Sequence, residues 1–221
     1  MGDISYLDTI LVPTSLFLLM GYHAYLWHIF KKNPSSTSSG ADRRASSMWV
    51  LSIQQDYEKK GILAVQSLRN SQMSTILSAT MGISVYIALA ALANNTYNAA
   101  HILKNPFFGT QSALLIVLKF SLVSLILLLS FLCSTMALGF LIEANFILNL
   151  STDDFLPGYP LAVFDRGFVL AFLGNRALCV SFPLLLWMLG PVPLVLSSVA
   201  LVWVLYKFDF VGEGKKELLL L

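Results

Sequence analysis

FSLVSLILLLSFLCSTMALGFLI, Phe120 to Ile142, is a run of 23 residues without a formal charge, bracketed by Lys119 and Glu143. At a helical rise of ~1.5 Å per residue it crosses a hydrocarbon core of about 30 Å. Two further uncharged runs, Thr9 to Phe30 and Met73 to Ala93, are also long enough to span. The chain therefore reads as an integral membrane protein. Its spans set the frame in which every polar residue has to be explained.

Composition agrees. Hydrophobic residues make up 57% of the 221 and charged ones 12%, about half the usual charged share of a soluble domain. Too little polar surface remains to cover a globule, so lipid must cover much of it. The formal charge of +2 is too small to suggest nucleic acid as a partner. The two cysteines, Cys133 and Cys179, lie inside apolar stretches with no metal-ligand spacing, and read as buried free thiols. Asp3 and Asp8 stand where a cleavable signal would have basic residues, so the first apolar run is expected to remain as a membrane helix.

Charge distribution orients the chain. Seven of the 14 basic residues, Lys31, Lys32, Arg43, Arg44, Lys59, Lys60 and Arg69, fall in the first long loop. Basic loops stay cytoplasmic, which puts residues 31–70 in the cytosol and the N-terminus outside. The next loop, Asn94 to Gln111, holds one basic residue, Lys104, and the sequon Asn94-Asn95-Thr96, usable on a lumenal face. Asn94 is thus a candidate glycosylation site. A second sequon, Asn149-Leu150-Ser151, falls on the cytosolic side of this topology and reads as a chance match. The default membrane is the plasma membrane or another membrane of the secretory pathway.

Within the cytosolic loop, the polar, Ser-rich run after Asn33 predicts a flexible linker over 31–48. Trp49, Ile53 and Tyr57, then Ile62, Val65 and Leu68, recur at helical spacing among Gln, Lys and Arg. This predicts an interfacial helix over 49–70, bent at Gly61, that leads into the second span and can meet anionic lipid headgroups. A solvated helix packed on the protein's own bundle fits equally. Arg43-Arg44-Ala45-Ser46 matches a basic-directed kinase pattern, making Ser46 a candidate phosphorylation site.

The C-terminal third is harder to count. Ala177 to Leu189 and Leu194 to Tyr206 are apolar runs separated by Gly190-Pro191-Val192-Pro193. Two short helices give five crossings and one kinked helix gives four. The expected architecture is an all-α helical bundle of four to five transmembrane helices forming a single domain over 1–221.

Few residues could carry chemistry. Arg176, beside Asn175, sits between apolar runs, where a guanidinium seeks a carboxylate or an anion; Asp165 and Glu143 are the candidate partners. Lys119 and Glu143 read as interfacial anchors, with the lysine stem snorkelling outward. Ser74, Ser78 and Gly82 fall at i, i+4 and i+8, a small-residue ridge that admits a close helix. Ser130 and Ser134 share a face of the third span, where hydroxyls can satisfy their own helix carbonyls. The three histidines, His23, His28 and His101, are too scattered for a haem or di-iron site, and Asp153-Asp154 reads as a turn or cap. No nucleophile elbow, phosphate loop, zinc-protease or dinucleotide motif occurs. No enzymatic activity, cofactor or metal is expected.

Leu63-Ala64-Val65-Gln66-Ser67-Leu68-Arg69-Asn70, Gly174-Asn175-Arg176-Ala177, and Ser181-Phe182-Pro183-Leu184-Leu185-Leu186-Trp187 with the Gly190-Pro191 break together resemble a plant and bacterial family of multi-pass membrane proteins, domain of unknown function 599. The resemblance covers nearly the whole chain and implies a plant membrane protein of about four helices. It brings no catalytic or binding residue with it. The expected function is that of an accessory or scaffold subunit acting by helix association, with itself or with another membrane protein. A small transporter or channel subunit using a broken helix and Arg176 is the alternative, and a lipid-modifying enzyme comes third.

Overall fold

Apolar runs separated by Pro, Gly and polar clusters become long helices in the computed structural model, which describes residues 3–55, 57–98, 113–148 and 158–210. Along the chain these are α1 (Asp3–Lys32), a short 3-10 turn (Pro34–Ser36), α2 (Ser38–Gln55), α3 (Tyr57–Asn98), α4 (Ala113–Leu148), α5 (Tyr159–Leu186) and α6 (Pro191–Asp209). Among the described residues the sole extended pairing is the bridge between Thr37 and Phe210. Among the described residues five helices are long and apolar enough to cross a membrane: α1, α3, α4, α5 and α6.

The Gly190 region decides whether the last two apolar runs form one kinked helix or two. The amides of Met188, Leu189 and Gly190 donate to carbonyls three residues back, tightening the end of α5. Gly190 then adopts φ 143°, which a side chain would oppose, and Pro191 opens α6 with a preset φ and no orphan N–H. The two apolar runs are separate helices. In α1, Pro13 lies inside the helix, and the hydroxyls of Thr14 and Ser15 donate to the carbonyls of Ile10 (2.9 Å) and Leu11 (2.8 Å). In lipid such side chains help satisfy the backbone around a proline.

The chain divides into two units. The first comprises Met1–Asp42, Ile87–Ile126 and Cys179–Leu221; the second comprises Arg43–Tyr86 and Leu127–Leu178. In the first, α1 packs on α6: Tyr22 Oη donates to Asp209 Oδ2 at 2.5 Å, and the rings of Tyr25 and Phe210 lie 6.1 Å apart. The second has a core of Val50 from α2, Leu68 from α3, Leu141, Ala144, Ile147 and Leu148 from α4, and Val163 and Phe164 from α5. Trp49 adds its ring against Phe164 at 5.9 Å. The ends of α2, α3, α4 and α5 that carry these residues therefore form one small bundle.

Three expectations about the first loop need correction. The segment 31–48 is not an irregular linker: α1 runs to Lys32, Thr37 is buried, and α2 begins at Ser38. The turn is close-packed, since a Cβ on Gly40 would meet the Pro34 carbonyl oxygen at 1.9 Å. Low hydrophobicity misled because the segment is held by long-range pairing with Phe210, which local composition does not report. The helix expected over 49–70 is divided between α2 and α3. α3 continues through Gly61 without a break, that glycine being buried.

Candidate functional site

The proposed ion pair at Arg176 is not formed as expected. α5 is continuous from Tyr159 to Leu186, so Asp165 and Arg176 are eleven residues apart on one helix, about 16 Å along its axis. Asp165 is instead held by Arg43 of α2 in a two-pronged contact: Nε donates to Oδ1 at 2.7 Å and the terminal nitrogen to Oδ2. Glu143 accepts a hydrogen bond from Tyr159 Oη at 3.1 Å. The Arg176 guanidinium lies over the Phe172 ring, 4.7 Å from its centroid, and Asn175 is exposed. Arg43 and Asp165 are 51% and 26% exposed, so water screens the pair. A double-mutant cycle with Arg43→Gln and Asp165→Asn is expected to give a coupling of about 1 kcal/mol or less that shrinks with added salt.

The small-residue ridge on α3 is rotated from its predicted place. Thr75, Ala79 and Gly82 are the buried positions, Ser78 is half-buried and Ser74 faces outward. A Cβ on Gly82 would sit 3.7 Å from the Leu127 carbonyl oxygen and from Ser130 Oγ, so α4 is the helix received there. Gln72 Nε2 on the same side donates to the Leu141 carbonyl at 3.1 Å. The spacing was read one residue out of phase because serine and alanine are equally small. Burial separates them.

α4 and α5 approach each other closely. Ser130 and Ser134 are fully buried, and Ser130 Oγ donates to the Gly174 carbonyl at 2.7 Å. A Cβ on Gly174 would come within 2.5 Å of Ser134 Oγ and 3.1 Å of the Ser130 carbonyl oxygen. Leu141 presses equally on Gly167, at 3.1 Å. The serine pair is thus a packing device, and its glycine counterpart was visible in sequence only as part of the 174–177 motif. Gly139, with nothing within 4 Å of a built Cβ, offers a control: Gly139→Ala is expected to leave thermal stability unchanged or raise it by up to ~1 kcal/mol.

Lys119 also departs from expectation. Instead of snorkelling outward it is 3% exposed, with Nζ 5.4 Å from the ring centroid of the buried Trp187. An ammonium over an indole face gains from the ring quadrupole, and the more so where water is excluded. The sequence placed Lys119 correctly at the end of an apolar run, but its cover comes from Trp187, 68 positions away. Tyr22 and Asp209 were missed for the same reason. Asp209 is 1% exposed, a buried acid of the first unit.

Ser46 is half-buried on α2, one turn after Arg43, and belongs to a helix rather than a Ser-rich loop. Asn94 is in the last turns of α3; its side chain lies outside the described residues, as do His101, Lys104, Asn149 and the Asp153-Asp154 pair. Cys133 and Cys179 are half-buried thiols. Among the described residues no cluster of three His, Cys, Asp or Glu is arranged to hold a metal ion. A family described as "Protein of unknown function, DUF599" matches residues 10–213. No curated protein and no solved structure matches the chain.

Proposed function

The chain belongs to the DUF599 family of unknown function, and from that premise we propose that it is a non-enzymatic accessory or scaffold subunit working by helix association in the membrane. The observation that carries this reading is the outer face of α3. Met73, Leu77, Thr80 and Ser84 recur at i, i+4, i+7 and i+11 and are all exposed, opposite the buried Thr75, Ala79 and Gly82. Such a stripe can receive a partner helix, with two short side chains allowing close approach. The Thr80 hydroxyl already donates to the Ile76 carbonyl at 2.8 Å, so docking there leaves that hydroxyl satisfied. The polar groups inside the bundle point the same way, since Ser130, Gln72 and Tyr22 each bond another helix.

The rival transport reading used the broken helix at Gly190 to Pro193 together with Arg176; that interruption is present, but it begins after Leu186, about 15 Å along α5 from Arg176. Disulfide trapping decides on association. Single cysteines at Leu77 and Ser84, in a background lacking Cys133 and Cys179, are expected to give a crosslinked species in native membranes, whereas Ile76→Cys is expected to give less. A lone monomer at every position, together with a monomeric mass in mild detergent, would remove the proposal.

Topology belongs to the same reading. We assign the N-terminus to the outside, residues 31–70 and the C-terminal end to the cytosol, and the chain to a plasma or other secretory-pathway membrane. The basic residues of 31–70 support this, as does the shared bundle formed by the start of α3, the end of α4 and the start of α5. The bridge between Thr37 and Phe210 likewise brings the segment after α1 to the end of α6, consistent with both helices finishing on one side. A reporter fused after Leu221 is expected to be protected from external protease in sealed, right-side-out vesicles. Cleavage there would overturn the assignment of the C-terminal end to the cytosol and, with the N-terminus outside, the odd number of crossings.

A further inference from the structure

We infer that α3 pairs with the α3 of a second copy of this chain as a parallel, in-register coiled coil, with Gln66 and Asn70 each meeting its own counterpart; this rests on the association reading and names the partner. Period is the first consideration. Gly61, Leu68, Thr75 and Gly82 are buried at intervals of seven residues, so α3 lies against its own bundle with the 3.5-residue period of a coiled coil. The outer face keeps the same period. Leu63, Gln66 and Asn70 lead into Met73, Leu77, Thr80 and Ser84 by alternate steps of three and four, and all of them are exposed. The stripe within the span is therefore part of a longer seam.

Depth is the second consideration. Gln72 donates to the Leu141 carbonyl and Gly82 faces the Leu127 carbonyl, so α3 and α4 run antiparallel with Gln72 level with Leu141. Arg69 and Glu143, three and two residues beyond that contact, stand at one level, and such a pair of charges belongs at the edge of the hydrocarbon. Leu63 is six residues further, ~9 Å outside that edge. It is 62% exposed, and Ile62 beside it 84%. Acyl chains do not reach these side chains, so what covers the seam is a helix that itself continues past the membrane edge.

A second copy meets that requirement by construction. Copies inserted alike in one bilayer are related by a two-fold axis along its normal, which sets their α3 helices parallel and brings every seam position against itself. Leu63, Met73 and Leu77 then form apolar layers. Gln66 and Asn70 form amide layers, and an amide, being both donor and acceptor, complements its own kind. A single asparagine in such a seam fixes register and the number of strands. Arg69, one position to the side, falls beside Ser74 of the second copy, so no like charges meet within the seam. The repeat ends at Leu63, because the preceding position is Lys59, which would face its own counterpart.

The test uses two differently tagged full chains in native membranes, each lacking Cys133 and Cys179 and carrying one new cysteine. Leu63→Cys and Leu77→Cys are expected to crosslink tag to tag at the same position, and Val65→Cys, exposed on the flank, to give about a fifth of that yield or less. Leu63→Cys on one chain with Ser84→Cys on the other is expected to give none, since 21 residues separate them by ~31 Å along the axis. Asn70→Leu is expected to add species heavier than two copies to the native mass in mild detergent, with the unfolding temperature unchanged. Equal crosslinking at Val65, a Leu63 to Ser84 crosslink, or an Asn70→Leu variant still limited to two copies would overturn the inference. So would labelling of Leu63→Cys by a headgroup-borne reagent without any tag-to-tag product, which would make the bilayer surface its cover. Crosslinks through Leu77 and Ser84 to a different protein, and never between tags, would overturn the second copy and leave the association reading in place.

Discussion

Gly174→Val is expected to destabilise the protein by ~2–3 kcal/mol, a cost typical of forcing extra volume into a packed helix crossing. The first added carbon would meet Ser134 Oγ at 2.5 Å, which a hydroxyl rotation relieves. It would also meet the Ser130 carbonyl oxygen at 3.1 Å and the Ser134 amide nitrogen at 3.2 Å, which belong to helical backbone and move only if α4 and α5 separate. Separation in turn lengthens the bond from Ser130 Oγ to the Gly174 carbonyl, now 2.7 Å. Thermal unfolding in detergent, followed by tryptophan fluorescence, checks this. Gly174→Ala should fall between wild type and valine, and Ser130→Ala alone should cost about 0.5–1 kcal/mol. A valine variant as stable as wild type would mean that the two helices do not touch there.

Tyr22→Phe is expected to cost ~1.5–3 kcal/mol, the range for a hydrogen bond to a charged group. The substitution keeps the ring and removes the hydroxyl that donates to Asp209, a carboxylate 1% exposed between α1 and α6. Asp209→Asn should be milder, because a carboxamide oxygen still accepts from Tyr22. Replacing both partners, Tyr22→Phe with Asp209→Leu, should be less destabilising than the sum of the single changes, since no desolvated acceptor is then left behind. The readout is the unfolding temperature of the four proteins in one detergent. Strict additivity would show that the hydroxyl and the carboxylate act independently.

Local patterns in this chain were read well where one helix meets lipid and poorly where two helices meet. Phe120 to Ile142, Thr9 to Phe30 and Met73 to Ala93 declare spans because a hydrocarbon core imposes a minimum length on any apolar helix. The Gly190-Pro191 break left four and five crossings open. The φ of Gly190 and the separate helix from Pro191 make two helices of the two runs, each long and apolar enough to cross. Ser74, Ser78 and Gly82 identified the right helix and missed the face by one position, since size alone does not say which side is covered.

What the sequence determined by itself was the membrane setting, the helical class and the identity of most spans, all consequences of moving a polar backbone into lipid. Tertiary structure decided the polar partners. Arg43 with Asp165, Tyr22 with Asp209, Lys119 with Trp187 and Ser130 with Gly174 are separated by 44 to 187 positions or close to that range, and no local spacing announces them. In a bilayer, apolar contact distinguishes protein from lipid only weakly, so a few hydrogen bonds, charges and close glycine contacts select which helices pair. Arg176 was legible as an intramembrane cation, but only the continuous α5 showed that Asp165, eleven residues away on the same helix, is not its partner.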